Sequence, residues 1–310
     1  MRIAIMGSGG VGGYFGGLLA HAGHDVTCIA RGEHLRAIRE HGLHVESVHG
    51  NFVVAPARAT DDLAIVGPVD CVLFATKTYH IETAAATMRP LIGPDTSVLP
   101  LHNGIDAAER TAAILGARPV LGGLCYVGSM IAAPGRIKQV SQFRRVIVGE
   151  LRGPISPRVE AIVAALADAG AQTEATDDIQ KARWTKFIFI APFSGVGSVA
   201  RVPAGKIVGC PETRALLEAA MCEVEAVARA AGIALDADIV AKTMAFCDNM
   251  TPGQTASMQR DIMDGKPSEL ESMIGVLVRL GAELGVPVPV FRFFYAALLP
   301  QEQGARRHAE

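Results

Sequence analysis

The run Gly7-Ser8-Gly9-Gly10-Val11-Gly12 fits Gly-x-Gly-x-x-Gly, follows the β-branched stretch RIAIM (2–6) and opens a helix-like segment reaching about His21. A strand, a tight glycine turn and a helix in that order suit a pyrophosphate. Gly7 permits the turn, Gly9 lets the backbone approach the phosphates, and Gly12 lets the helix pack closely on the strand. The free N–H groups at the helix start, around Gly10 and Val11, attract the negative charge. These residues therefore read as a dinucleotide-binding start, against the blander alternative of a structural glycine turn.

The second predicted strand, DVTCIA (25–30), is followed by Arg31, where an acidic residue would hydrogen-bond a free ribose 2′-hydroxyl. A guanidinium there can pair bidentately with a 2′-phosphate, so NADP(H) is expected rather than NAD(H). The alternative is a solvated arginine starting the next helix. Lys77, just past the strand CVLFA (71–75), could add positive charge near the same phosphate.

Further along, Lys186 lies in KARWTKFIFIAPF, between Trp184 and Phe187 and ahead of an apolar run. An unpaired ammonium is costly there, so the lysine is either functional or snorkels from a helix. Glu269, in Ser268-Glu269-Leu270-Glu271 after Lys266-Pro267, reads by itself as a solvated helix start.

The elements that position these residues divide into two kinds. Through residue 177, short β-branched runs alternate with Ala-rich helical stretches, the pattern of a mostly parallel sheet with crossover helices. RIAIM (2–6), DVTCIA (25–30), CVLFA (71–75) and TSVLPL (96–101) are its central strands. HVESVHGNFVV (44–54) alternates around His49-Gly50-Asn51 and predicts an antiparallel hairpin, and RIKQV and RRVIVGE, after Gly135, predict two further antiparallel strands. After Asp178 the strand signals stop, and helices follow one another across GCPET, AAGIALDA, NMTPGQ, DGKPSE and GVPVPV. The expected fold is α/β: an N-terminal Rossmann-type dinucleotide-binding domain (1–177) followed by an all-α C-terminal domain (178–310) carrying substrate binding and catalysis.

Composition narrows the partners. With 29 Lys and Arg against 31 Asp and Glu the formal net charge is −2, so there is no basic field for nucleic acid. Half the residues are apolar, but the longest charge-free stretches, from Arg118 to Arg136 and from Lys186 to Arg201, are broken by Gly or Pro and do not read as membrane spans. The opening MRIAIMGSGG has no basic n-region followed by an apolar stretch, so a cytoplasmic location is expected. Six scattered cysteines without a Cys-x-x-Cys pair read as buried free thiols, and the nine histidines show no metal-ligand spacing. A metal-free mechanism on a small molecule is expected. Leu- and Val-rich stretches such as 273–284 could support a homodimer.

Several motifs together resemble the ketopantoate reductases (2-dehydropantoate 2-reductases). GSGGVGGYFGGLLAHAGHDVTCIAR opens the resemblance; Thr76-Lys77, His102-Asn103-Gly104, Trp184-x-Lys186, Ser257-Met258-x-x-Asp261 and Ser268-Glu269-Leu270-Glu271 continue it in order, over nearly the whole chain. The glycine-rich start is shared with many dehydrogenases. Trp-x-Lys followed about 70 residues later by Ser-Met-x-x-Asp and then Glu is far more specific.

The resemblance implies NADPH-dependent reduction of a 2-oxo acid to a 2-hydroxy acid on the way to pantothenate. It implies that Lys186 protonates the ketone oxygen as hydride arrives, that Glu269 holds substrate or cofactor hydroxyls, that Ser257 helps bind the substrate carboxylate, and that Asn103 sits near the nicotinamide end of the cofactor. The residue types suit the reaction. Hydride addition builds negative charge on oxygen, and a cationic donor stabilises that charge more in the transition state than in the ground state. A free lysine titrates near about 10.4; burial would lower that value and Glu269 would raise it.

The chain also departs from the family pattern. Members commonly carry asparagines one and two turns after the lysine, on the helix face that meets substrate; here Ile190 and Ser194 stand there, with Ser194 left as a substrate-binding candidate. Ala204 and Gln254 stand where further asparagines often complete the pocket. Loss of amides that read a substrate hydroxyl weakens discrimination. Three alternatives stay open: a reductase of a more apolar 2-oxo acid or ketone, a β-hydroxyacid dehydrogenase, whose usual Lys-x-x-x-Asn is missing, and a non-catalytic NADP-binding protein.

Overall fold

The computed structural model describes residues 1–309. Chain contacts divide into two compact units, one of Met1–Asn103 with Ala107–Ile179 and the other of Gly104–Asp106 with the chain from Gln180 onward.

The first unit holds ten strands among the described residues: β1 (Arg2–Met6), β2 (Asp25–Ile29), β3 (Leu43–Ser47), β4 (Phe52–Val54), β5 (Arg58–Thr60), β6 (Cys71–Phe74), β7 (Ser97–Pro100), β8 (Leu121–Ala133), β9 (Arg136–Glu150) and β10 (Gln172–Ala175). Five of them form an all-parallel sheet in the order β5-β2-β1-β6-β7. The four strands read as central, β1, β2, β6 and β7, form here within a residue or two of their expected bounds, because near-continuous apolar runs suit strands covered on both faces.

The second sheet was only partly anticipated. RIKQV and RRVIVGE are not two strands but one, β9, paired antiparallel with β8 and parallel with β3 and β10. The linking residues Ser141 to Phe143 stay extended because Gln139 and Ser141 bond across them to the Ser141 and Phe143 carbonyls. Its partner β8 comes from the charge-free stretch after Arg118, which carries no clear alternation. The predicted hairpin forms, β3 against β4, and joins this second sheet through β9.

Helix Gly10–His21 lies against both sheets, which explains its glycines. Gly12 and Gly16 face β1, where a Cβ on Gly16 would lie 2.6 Å from Ile5. One position on, Gly13 and Gly17 face the second sheet, where a Cβ would lie 2.7 Å from Ile137 and 3.0 Å from Val45 respectively. The four-residue spacing of each pair places it on one helix face. Much of the Gly-Gly-Tyr-Phe-Gly-Gly run therefore serves packing, while Tyr14 and Phe15 between the pairs are fully buried.

The second unit is helical among the described residues, apart from the short segment around Ile105. Its helices are Ile179–Ala200, whose first residue falls in the first unit, Ala204–Gly209, Pro211–Ala230, Ile239–Asp248, Ser257–Met263, a π-helical turn Glu271–Gly275 running into Val276–Leu284, and Pro289–Ala309. Met273, Ile274, Val276 and Leu277 are buried in the core of this unit. The stretch expected to support a dimer is thus largely used up within the chain. Cys28, Cys71, Cys125 and Cys247 are buried thiols, as expected; Cys210 is half-buried and Cys222 is exposed on helix Pro211–Ala230. No helix among the described residues is long and apolar enough to cross a membrane.

Candidate active site

In the first unit the predicted cofactor residues gather at the carboxyl ends of β1, β2, β6 and β7. The strand order reverses between β1 and β6, and in open α/β sheets that switch point is where ligands bind. Gly7 follows β1 at φ +94°, left-handed backbone that favours glycine, and a Cβ on it would lie 2.8 Å from the Thr76 nitrogen after β6. Gly9 precedes the helix, its carbonyl accepts the Gly13 N–H at 2.7 Å, and a Cβ there would meet nothing within 4 Å. Open space over Gly9, beside the free N–H groups of the first helical turn, is the cradle a pyrophosphate requires.

Gly10 differs. A Cβ on it would lie 2.6 Å from the Ser129 carbonyl oxygen of β8, so its glycine requirement comes from the second sheet. Val11, in the same turn, is partly buried and packs on the core, and Gly12 closes against the Gly7 carbonyl.

Arg31 ends the loop after β2 and caps helix Gly32–His41 with extended backbone. It is exposed and makes no ion pair among the described residues, which leaves its guanidinium available to a 2′-phosphate. Lys77 is half-buried and opens the short 3-10 turn Thr78–His80. Arg110 holds that turn, donating to the Thr78 carbonyl at 2.8 Å and to both oxygens of Glu82, whose carboxyl it keeps below the usual range. Asn103 is half-buried just beyond β7. Two histidines beside this site were not singled out by the sequence reading. His34 links the Ser8 carbonyl to the Gly135 N–H, and His102 is buried, 3.2 Å from Thr76 Oγ1 and edge-on to Phe74. Nothing in the sequence around His34 marks it, and His102 lies in the motif His102-Asn103-Gly104, which by itself assigns it no role.

In the second unit, Lys186, Ile190 and Ser194 follow one another along one face of helix Ile179–Ala200. Lys186 is half-buried, Ile190 packs against the helical core, and Ser194 is buried. Phe189 stacks on Phe193 at 5.4 Å and meets Phe246 edge-on at 5.0 Å. Two glycines let neighbours press onto this helix: Gly195 makes room for the Phe294 ring and Gly197 for the Gln259 amide. Gln259 belongs to helix Ser257–Met263, at whose start Ser257 is half-buried, and its Nε2 donates to the Val202 carbonyl at 3.0 Å. Ala204 and Gln254, the two other substituted positions, meet: the Ala204 N–H donates to the Gln254 carbonyl at 2.9 Å.

Glu269 is 6% exposed, not the solvated helix-start residue that its own neighbourhood suggests. Its carbonyl accepts the N–H groups of Ser272 and Met273, and the π-helical turn begins two residues later. Single π-turns recur at functional sites because they widen the backbone and re-aim side chains.

Comparison with known proteins places the chain in a family. Residues 3–153 match the family described as ketopantoate reductase PanE/ApbA, and residues 178–302 match the C-terminal part of the same family. The chain belongs to the ketopantoate reductase PanE/ApbA family, and it is an oxidoreductase. It is 30% identical over 294 residues to the 2-dehydropantoate 2-reductase of Halobacterium salinarum, covering 94% of this chain and 96% of that one. Among solved structures, the PanE/ApbA family ketopantoate reductase of Ralstonia eutropha JMP134 is 32% identical with a TM-score of 0.91, covering 99% and 100% of the two chains. D-mandelate dehydrogenase, solved with NADH and anilino(oxo)acetate, shares the fold at 23% identity and a TM-score of 0.89, covering 99% of each chain.

Proposed function

We propose that this chain reduces 2-dehydropantoate to pantoate with NADPH, with Lys186 as general acid, as a step of pantothenate biosynthesis. The observation that carries the reading is Lys186 held half-buried in the motif order of a family several of whose members are named for this reaction. NADPH, when bound, supplies the hydride. Gly7, Gly9 and the first turn of helix Gly10–His21 hold the pyrophosphate, Arg31 pairs with the 2′-phosphate with Lys77 adding charge, and Asn103 lies toward the nicotinamide end. Lys186 gives its proton to the ketone oxygen, and its charge stabilises the oxyanion as it develops. Ser257 and Ser194 bind the acid, and Glu269 holds a hydroxyl of substrate or cofactor. The cytoplasm is the proposed compartment, and residues 1–177 and 178–310 are the proposed cofactor and substrate domains.

A second reading rests on Ile190. An isoleucine packed against the helical core, one turn from Lys186 and beside Phe189, offers apolar contact where a hydroxylated substrate needs an amide, which favours a more apolar 2-oxo acid.

Steady-state oxidation of NADPH, with NADH as control, against 2-dehydropantoate and a panel of branched, linear and aromatic 2-oxo acids separates the two. Turnover of 2-dehydropantoate far above all others supports the first reading; clear preference for another 2-oxo acid supports the second. Lys186→Ala should lower kcat by about 10² to 10⁴ while NADPH still binds. Unchanged kcat in that variant would remove the lysine from the mechanism.

A further inference from the structure

The residue before Glu269 is gripped by a buried carboxylate from far along the chain. Glu302, on the last helix, is 3% exposed. Its two oxygens accept the Ser268 backbone N–H at 3.0 and 3.2 Å, and Oε2 also accepts the Ser268 hydroxyl. Arg306, one turn on, donates from Nε to Oε1 at 2.7 Å and reaches the Ser268 carbonyl at 3.4 Å. The Ser268 hydroxyl oxygen in turn accepts the Leu270 N–H at 3.3 Å. A carboxylate taken this far out of water is tolerable only when fully hydrogen-bonded, and here every donor it uses other than Arg306 comes from Ser268.

Ser268 is therefore held at its N–H, its carbonyl and its side chain, and the Glu269 carbonyl is held from the other side by Ser272 and Met273. Little backbone rotation remains to Glu269. A side chain that must meet a hydroxyl within a few tenths of an ångström depends on such support.

We propose that Glu302 is a positioning residue: through Ser268, with Arg306 balancing its charge, it sets the direction in which Glu269 presents its carboxylate. This rests on the reading of Glu269 as a group that holds a hydroxyl of substrate or cofactor.

The test uses the full-length enzyme and measures kcat, KM for the best 2-oxo acid of the panel, NADPH Kd and Tm for Glu302→Gln, Glu302→Ala, Ser268→Ala, Glu269→Gln and the double variant Glu269→Gln/Glu302→Ala. Misdirecting Glu269 should raise KM or Kd on the order of 10- to 100-fold in Glu302→Ala, at temperatures well below its Tm. Glu302→Gln, which keeps one oxygen for the Ser268 N–H, should recover part of that loss. In the double variant the two effects should not add, because both act through one carboxylate. Should Glu302→Ala not fold, Glu302→Gln and Ser268→Ala carry the same comparison.

Wild-type KM and Kd in the folded Glu302 and Ser268 variants, beside a damaged Glu269→Gln, would overturn the positioning role alone. Additive effects in the double variant would reduce Glu302 to a stabilising contact. A silent Glu269→Gln would overturn the reading of Glu269 and the inference with it.

Discussion

His34 lies 2.8 Å from the carbonyl oxygen of Ser8, in the middle of the glycine-rich loop, and its other ring nitrogen takes the Gly135 N–H at 3.0 Å. One neutral tautomer satisfies both bonds: Nε2–H donates to Ser8 and Nδ1 accepts from Gly135. The ring thereby ties the loop that would cradle a pyrophosphate to the turn between β8 and β9, on the same hairpin whose Ser129 abuts Gly10.

Loss of that tie should loosen the loop without unfolding the unit. At about 1 kcal/mol for each of its two bonds, His34→Ala should weaken NADPH binding by up to about 30-fold, and His34→Gln, which can both donate and accept, should recover part of it. Fluorescence titration of NADPH measures the effect; equal affinities in all three proteins would show that the loop holds its shape unaided.

The glycines of the loop and first helix separate into two kinds that alanine should distinguish. Gly9→Ala meets open space in the protein, so Tm should stay near wild type while NADPH affinity falls. Gly16→Ala drives a methyl group into Ile5 and should destabilise the chain by about 1–3 kcal/mol, the usual scale of overpacking. Urea unfolding and NADPH titration on both variants give the comparison.

Among the described residues no carboxylate pairs with Arg31, which should choose between the two nicotinamide cofactors. Arg31→Ala should weaken NADPH by about 2 kcal/mol, the scale of a charge-assisted contact, and leave NADH nearly unchanged. Equal losses for both cofactors would place Arg31 away from the 2′-phosphate.

His102 should make the protein sensitive to acid. Burial, reinforced by the positive charge of Arg110, pushes its imidazole down to about 3. Between about 6.5, where an unfolded histidine titrates, and about 3, the unfolded chain binds a proton that the native protein refuses, so stability falls as pH falls across that window and is unaffected above it. From pH 6.5 to 5 the loss from this group should reach about 2 kcal/mol. His102→Gln, which can keep the bond to Thr76, should flatten that part of a stability profile measured by urea unfolding; an unchanged slope would assign the acid sensitivity to other groups.

Local patterns carried much of this molecule. The four central strands, the helix Gly10–His21, the hairpin of β3 and β4 and the change to helices after Asp178 are all written in apolar periodicity and turn residues, which act over a few positions. The family motifs likewise appear as short strings with fixed order. Gly10 and Gly16 could not be told from Gly9 in that way, because a glycine's reason is the atom it would strike, and Ser129 and Ile5 are distant or unmarked in the text. Glu269 looked like a solvated helix start because its neighbours in sequence are polar, yet the last helix folds back and covers the residue beside it.

The amino-acid sequence alone determined the α/β class and the glycine turn after the first strand, since each follows from the conformational preferences of a few adjacent residues, and it carries the family motifs in their order. Tertiary structure decided which glycines pack and which stay open, that β8 and β9 brace the loop, and that Glu302 grips Ser268. Those relations join residues as far apart in sequence as Gly13 and Ile137, and only the closing of a densely packed core brings such residues within contact distance.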